Sequence, residues 1–120
     1  SSLNERLFTV GSSFTKVLET YKPDALAIET LFFNQNQKTA IGVAAARGIV
    51  IFLAQQYNCL VFEYGPQEVK VALTGYGKSD KQGVMDMVAR LVRNVPEKAL
   101  DDEYDAIAVA TTCLAVNGRV

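Results

Sequence analysis

The 120-residue sequence contains no histidine, and its two cysteines, Cys59 and Cys113, stand far apart. These absences exclude zinc sites built on histidine or on cysteine pairs, and nucleophiles that a histidine would activate. Unpaired cysteines are typical of a reducing compartment, so we expect a cytoplasmic protein.

A long hydrophobic run and a large net charge are also missing. The longest apolar stretch, residues 39–54, is interrupted by Arg47 and is too short to cross a bilayer, so no membrane partner is expected. The formal net charge is -1 and 49% of the residues are hydrophobic, values typical of one soluble globular domain. The charge is uneven, because residues 66–93 have a basic surplus and residues 97–105 are strongly acidic.

What is present is an alternation of helix and strand patterns. Ser2 and Glu5 form a capping box, and an apolar stripe follows at helical spacing until Pro23 ends the helix. We expect this stripe to be buried; it consists of Leu3, Leu7, Val10, Phe14, Val17 and Tyr21.

The later segments continue the alternation. The first predicted elements are a strand covered on both faces at 25–28, a helix at 37–57 and a strand within 59–66. Residues 66–75 could be a strand or a short helix, and the helix is favoured. A Ser79–Gln82 capping box opens a helix that reaches about Val95, and a buried terminal helix begins at Asp101. This order predicts an α/β fold with parallel strands at the sheet centre flanked by helices.

Three carboxylates stand where such a fold collects functional groups. The segment "DALAIET", residues 24–30, has the pattern of a strand ending at Glu29, and open α/β sheets place their sites at the carboxyl ends of strands. Asp102 and Asp105 begin the terminal helix and share one face, where they could simply cap the helix and complement its dipole. Their crowding among further acids instead favours a divalent cation, and oxygen ligands without histidine suit Mg²⁺ or Mn²⁺. A pair of such ions can clamp the attacking and leaving oxygens of a phosphodiester.

The segment "ALTGYGKS", residues 72–79, suggests a competing interpretation. It nearly fits the phosphate loop G-x-x-x-x-G-K-[ST], with Ala72 in place of the first glycine. In a nucleotide site, Lys78 would reach the phosphates and Ser79 the magnesium. The simpler alternative is a glycine-rich turn that leads into a capped helix.

Two aromatic residues and three lysines are candidate nucleic-acid contacts. Phe32 and Phe33 follow Glu29 beside a polar segment, and they could be core residues or could stack on unpaired bases. The lysines could be ordinary solvated side chains, and they contribute to a site only if they face the carboxylates. They are Lys70, Lys78 and Lys81.

Four segments together resemble the RuvC family of Holliday-junction resolvases, in a single register from about Glu5 to Val116. They are "PDALAIETLFF", "AARGIV", "VFEYGPQEVKVALTGYGKSDKQGV" and "DDEYDAIAVATT". The resemblance implies a ribonuclease-H-like fold and a homodimer that uses Mg²⁺ to nick opposed strands of a four-way DNA junction. It also implies that the branch-migration complex of the same pathway is a partner.

The resemblance also assigns roles to individual residues. Glu29, Asp102 and Asp105 match three of the family's four metal-binding acids. The family's basic residues near the scissile phosphate match Lys70 and Lys81, and an aromatic implicated in holding the opened junction matches Phe32. The family dimerises through the helix at about 37–57, whose small residues would permit close approach, although packing on the sheet explains them equally.

The sequence departs from the family in one respect. The family's first strand carries a Gly-Ile-Asp-Pro-Gly motif whose Asp is the fourth acid, and this sequence has no such segment. It begins where the family's first helix begins, after three antiparallel strands. We therefore expect a single RuvC-like nuclease domain, residues 1–120, that lacks the N-terminal strands and is inactive in this form.

The favoured function is a structure-selective DNA endonuclease that leaves a 5′-phosphate and a 3′-hydroxyl. One alternative is a non-catalytic member of the same fold that binds junctions or other DNA. A phosphate-loop nucleotide binder is the less favoured alternative.

Overall fold

The structure, a computed structural model, describes residues 2–30, 37–93, 95 and 101–118; for residues 37–39, 101 and 102 it describes the backbone alone. Within these residues helices and strands alternate as predicted. They are α1 (Leu3–Tyr21), β1 (Ala25–Glu29), α2 (Gln37–Gln56), β2 (Leu60–Tyr64), α3 (Pro66–Thr74), α4 (Lys81–Leu91) and α5 (Asp101–Asn117).

The two described strands pair in parallel. The amide of Leu60 donates to the carbonyl of Asp24 at 2.9 Å, and the amide of Thr30 donates to that of Tyr64 at 2.9 Å. The predicted α/β fold with parallel strands is therefore confirmed. The prediction that β1 is covered on both faces is wrong for the described residues, since Ala25–Ile28 are all partly exposed. Among the described residues each strand has one neighbouring strand, so the side chains along its other edge are not covered laterally.

The chain divides into two compact units, of which the first comprises Ser1–Leu26 and Leu31–Val61. Its first helix begins at the predicted capping box: Ser2 Oγ accepts from the amide of Glu5 at 3.1 Å, and the Ser2 amide donates to Glu5 Oε1 at 3.2 Å. The contact between α1 and α2 is close at Gly11, where a Cβ would lie 3.4 Å from Ile49 Cγ2. The missing side chain lets the two helices approach each other.

The apolar stripe of α1 is less buried than predicted. Leu3, Val17 and Tyr21 are exposed, whereas Leu18, which lies beside the stripe, is buried. The physical reason is that helix packing buries the line of residues that meets the neighbouring helix, here the side that carries Gly11, and not every apolar position.

The second unit comprises Ala27–Thr30 and Phe62–Val120 and has its own hydrophobic core. In it α3, α4 and α5 pack on one another. The buried core residues are Tyr64, Val69, Leu73, Val84, Val88, Ala108, Val109 and Cys113. The buried hydroxyl of Thr112 is satisfied within its own helix, because it donates to the carbonyl of Ala108 at 2.8 Å.

The ambiguous segment 66–75 forms the favoured short helix. Pro66 occupies the first turn, where its missing N–H is no loss, and Glu68 Oε1 accepts from the amide of Gly65 at 3.0 Å. Gly75 ends the helix at φ 74°, a left-handed conformation that glycine adopts without strain.

The bounds of α4 differ from the prediction at both ends. The N-cap is Asp80 and not Ser79: Asp80 Oδ1 accepts from the amide of Gly83 at 2.9 Å. The helix ends at Leu91, before the predicted Val95, because Val92 is extended. Two capping residues in succession satisfy the same sequence pattern, so only the backbone conformation distinguishes them.

The terminal helix α5 is buried on one side only. Its buried residues include Ala108, Val109 and Cys113, but Leu114 and Val116 are exposed, so the prediction of a buried terminal helix holds for one side and is wrong for the other. Among the described residues, no helix combines the length and the hydrophobicity needed to cross a membrane.

Candidate functional site

A cleft of about 270 Å³ in the second unit brings together four of the predicted site residues. Each comes from a different element: Glu29 ends β1, Lys70 lies in α3, Lys81 begins α4 and Asp105 lies near the start of α5. The rest of the lining is mostly apolar and consists of Pro66, Val69, Val84, Ala108 and Val109. The fold thus places two carboxylates and two ammonium groups on an apolar floor.

The two carboxylates of the cleft repel each other. Partial burial raises the pKa of Glu29, the neighbouring Asp105 raises it further, and Lys81 lowers it. A raised carboxyl pKa means that this environment disfavours the ionised form. An additional positive charge in the cleft would therefore stabilise the ionised pair.

Part of that positive charge comes from Lys81. Its Nζ donates to Asp105 Oδ1, and the two groups form an ion pair between α4 and α5. The side chains keep 47% and 41% of their surface exposed, so solvent reaches both partners.

The donor set of the cleft fits a hard divalent cation. Glu29 and Asp105 offer carboxylate oxygens, which Mg²⁺ and Mn²⁺ prefer. The third predicted ligand, Asp102, lies in the first turn of α5, but its side chain is outside the described residues. The described side chains contain no cluster of three or more potential ligands among His, Cys, Asp and Glu. The three-carboxylate site therefore stays a prediction, of which two members line the cleft.

The other candidate contacts are not brought to the cleft. Lys78 is exposed on the turn between α3 and α4 and does not line it. Phe32 and Phe33 lie outside the described residues, so their predicted stacking role stays a prediction.

The turn at 75–80 lacks the context of a phosphate loop. A phosphate loop follows a strand, but this turn follows α3. It packs back on that helix, because Gln67 Nε2 donates to the carbonyl of Gly77 at 2.9 Å. Within the turn, the Ser79 amide donates to the Tyr76 carbonyl at 3.0 Å. The simpler alternative, a turn leading into a capped helix, is the observed one.

Gln67 is a structural residue that the sequence did not reveal. A Cβ at Gly77 would collide with its Nε2, so the amide fills the space that the glycine leaves. Its partner is ten residues further along the chain, and no local spacing rule signals such a contact. The apolar floor of the cleft was missed as part of the site for a different reason: its residues look like ordinary core positions.

Comparison with known proteins extends these observations. A family model described as "Crossover junction endodeoxyribonuclease RuvC" matches residues 1–113. The crossover junction endodeoxyribonuclease RuvC of Thermosipho melanesiensis is 44% identical over 118 residues, which cover 98% of this chain and 74% of the relative. That of Thermotoga maritima is 43% identical over 115 residues, which cover 96% of this chain and 68% of the relative.

Two solved structures are similar over nearly the whole chain. The Thermus thermophilus RuvC structure superposes with a TM-score of 0.86 at 30% identity, covering 98% of this chain and 70% of that one. The structure of T. thermophilus RuvC in complex with Holliday junction substrate gives a TM-score of 0.90 at 30% identity and covers 98% and 72%. The fold is accordingly ribonuclease-H-like, as the sequence resemblance predicted. With a family match over residues 1–113 and relatives above 40% identity, the chain belongs to the RuvC family of crossover junction endodeoxyribonucleases.

Proposed function

We propose that this chain is the nuclease domain of a Holliday-junction resolvase, which hydrolyses phosphodiesters at a four-way DNA junction. The observation that carries the proposal is the cleft that Glu29 and Asp105 line together with Lys70 and Lys81. Carboxylates and ammonium groups on one apolar floor are the components that phosphodiester hydrolysis needs: anionic ligands for a cation and cations for a phosphate.

The basic and the apolar residues of the cleft have different roles in the proposed reaction. In the proposed reaction a water attacks the phosphorus in line, the bond to the 3′ oxygen breaks, and a 5′-phosphate and a 3′-hydroxyl remain. Lys70 and Lys81 neutralise the phosphate and hold the DNA backbone against the cleft. The apolar floor excludes bulk water, which strengthens these electrostatic contacts.

Glu29 and Asp105, with Asp102, would hold the divalent cation, either Mg²⁺ or Mn²⁺. When bound, this cation would supply the Lewis-acid charge that stabilises the phosphate in the transition state. Two observations support the assignment: the donor set consists of hard oxygens, and the repulsion between Glu29 and Asp105 would be relieved by a cation.

The remaining parts of the function are proposed from the family. Phe32 would stack on a base of the opened junction, and Lys78 would make a peripheral phosphate contact. The protein would work in the cytoplasm as a homodimer through α2, together with the branch-migration complex. Large exposed apolar side chains on α2, such as Ile41 and Phe52, support the homodimer.

The test is replacement of each acid by the neutral amide of the same size. Glu29→Gln, Asp102→Asn and Asp105→Asn should each lower Mg²⁺-dependent nicking of a synthetic four-way junction by about 100-fold or more, the scale of a lost transition-state contact. Junction binding should persist, since each variant loses a negative charge near DNA. Nicking is measured in the chain and in a chimera that adds the family's strand with the Gly-Ile-Asp-Pro-Gly motif.

The matched control is Asp86→Asn, because Asp86 accepts from Gln82 Nε2 on the exposed side of α4. It should nick at the unsubstituted rate. A chimera that binds junctions tightly without nicking them would show that the chain is a non-catalytic member of the fold. Wild-type nicking by any one acid variant would remove that residue from the site.

A further inference from the structure

The ion pair between Lys81 and Asp105 places a cationic side chain on a carboxylate that the proposed function assigns to a metal ion. Lys81 begins α4 and Asp105 lies on α5, so the pair joins two elements that line the cleft. Glu29 lines the same cleft, close enough to Asp105 and Lys81 for both charges to act on it. The ammonium therefore lies where positive charge is needed.

The described charged side chains that line the cleft are the carboxylates of Glu29 and Asp105 and the lysines Lys70 and Lys81. A divalent cation bound by the carboxylates would repel the nearby Lys81 ammonium from the carboxylate that it holds. The cation and the displaced ammonium would both attract a phosphate.

The pair can exchange partners at low cost. Its side chains keep 47% and 41% of their surface exposed, and ion pairs of that kind contribute little net stability because water screens them. The lysine side chain is flexible and its ammonium is a compact point charge, so it can leave one oxygen for another without moving the helix. A tightly buried pair would not have this freedom.

We infer that Lys81 is an exchangeable counter-ion: it holds Asp105 while the divalent site is empty, competes with the incoming cation, and moves to a DNA phosphate once displaced. The inference rests on the proposed function. It assigns Lys81 a regulatory role in addition to phosphate contact, since it couples cation binding to DNA binding. The coupling is reciprocal, so DNA that captures the ammonium should also favour the cation.

The experiment is a titration of the chain with Mn²⁺ alone, followed by electron paramagnetic resonance of the free ion. In Lys81→Met, which keeps the apolar stem and removes the charge, the Kd for Mn²⁺ should fall about fivefold. Lys81→Arg, which keeps the charge, should match the unsubstituted chain. Lys78→Met is the control for net charge, because Lys78 is exposed on the neighbouring turn and does not line the cleft. Circular dichroism melts establish that all variants fold.

A second readout separates the two positions of the ammonium. Without a divalent ion, Lys81→Met should lower the affinity for a DNA duplex no more than Lys78→Met does, because the Lys81 ammonium is then engaged by Asp105 and both variants lose one positive charge. In saturating Ca²⁺ the Lys81→Met variant should bind the duplex more weakly than the unsubstituted chain, by about threefold or more. Equal losses of affinity under both conditions would mean that Lys81 contacts phosphate regardless of the cation, and would overturn the exchange.

The outcomes distinguish this inference from the proposed function. If Mn²⁺ binds and Asp105→Asn abolishes its binding, but Lys81→Met leaves the Kd unchanged, the exchange is wrong and the metal site stands. If Lys78→Met tightens Mn²⁺ binding as much as Lys81→Met does, the effect is one of net charge and the exchange is again wrong. If neither the chain nor the chimera binds Mn²⁺, both the exchange and the proposed metal site are overturned.

Discussion

Glu29 ends β1 in a place where its ionised form is disfavoured. Partial burial raises the pKa of this carboxyl, Asp105 raises it further, and Lys81 only partly compensates. The folded chain therefore binds the Glu29 proton more tightly than the unfolded chain does, which favours folding at low pH. This contribution to stability is complete below about pH 4.5, the ordinary pKa of a glutamate, and is lost as the pH rises through the raised pKa of Glu29. The ionised form of Glu29 is therefore the form that costs stability.

Glu29→Gln should accordingly raise the melting temperature at pH 7, because the amide removes the desolvated charge and its repulsion by Asp105. The gain should shrink below about pH 4.5, where the wild-type carboxyl is also neutral. Glu5→Gln provides a control of opposite sign: a hydrogen bond from the Ser2 backbone lowers the pKa of Glu5, so this substitution should lower the melting temperature at pH 7. Thermal melts at pH 7 and pH 4 test both. A Glu29→Gln chain less stable than the wild type at pH 7 would contradict the argument.

At the level of elements, the sequence predicts which helices and strands exist better than it predicts the residues at which they begin and end. Pro66 and Gly75 sufficed to choose a helix for α3, because proline is favoured at the start and glycine at the end of a helix. The capping pattern misplaces the start of α4 by one residue, since Ser79 and Asp80 are both good caps. The apolar pattern continues past the end of α4, because Val92 leaves the helical conformation with no breaker residue to signal it. Local sequence patterns specify the preferences of single residues, whereas tertiary packing decides the residue at which a helix begins or ends.

The conformation of the turn between α3 and α4 should depend on the side-chain amide of one residue. Gln67 Nε2 donates to the Gly77 carbonyl at 2.9 Å, so Gln67→Ala should loosen residues 75–80 and accelerate their backbone hydrogen exchange. The loss in global stability should stay within about 1.5 kcal/mol, the net worth of one hydrogen bond. Gln82→Ala is the matched control, because Gln82 donates to Asp86 within α4 at 2.8 Å. Exchange in the turn that is equally slow in both variants would show that Gln67 does not hold it.

For the whole molecule, the sequence predicts which residues form the candidate site but not which of them contact one another. The sequence identified Glu29, Lys70, Lys81 and Asp105, and the structure places all four in one cleft. It did not reveal that Lys81 would pair with Asp105, because that contact joins residues 24 positions apart and depends on how α4 packs against α5. Long-range contacts of this kind follow from the packing of whole elements, which residue spacing does not encode.

The proposed homodimer gives a prediction for the molecule as an assembly. Phe52 of α2 is 65% exposed and lines a mainly apolar groove between α1 and α2 that also includes Phe8. Burial of such side chains against a second copy would stabilise a dimer by about 25 cal/mol for each Å² of apolar surface removed from water. Phe52→Glu should therefore shift the chain toward monomer, because a buried carboxylate without a partner opposes association.

Leu114→Glu is the control for that substitution, since Leu114 is 64% exposed but lies on α5 in the other unit. Sedimentation equilibrium over a range of concentrations should give a dimer for the unsubstituted chain and for Leu114→Glu, and a weakened dimer for Phe52→Glu, whose helical circular dichroism signal should be unchanged. The two variants gain the same charge and lose apolar side chains of similar exposure, so only the location of the interface can separate them. An unsubstituted chain that stays monomeric, or a Phe52→Glu chain that dimerises as tightly, would show that this side of α2 does not form the interface.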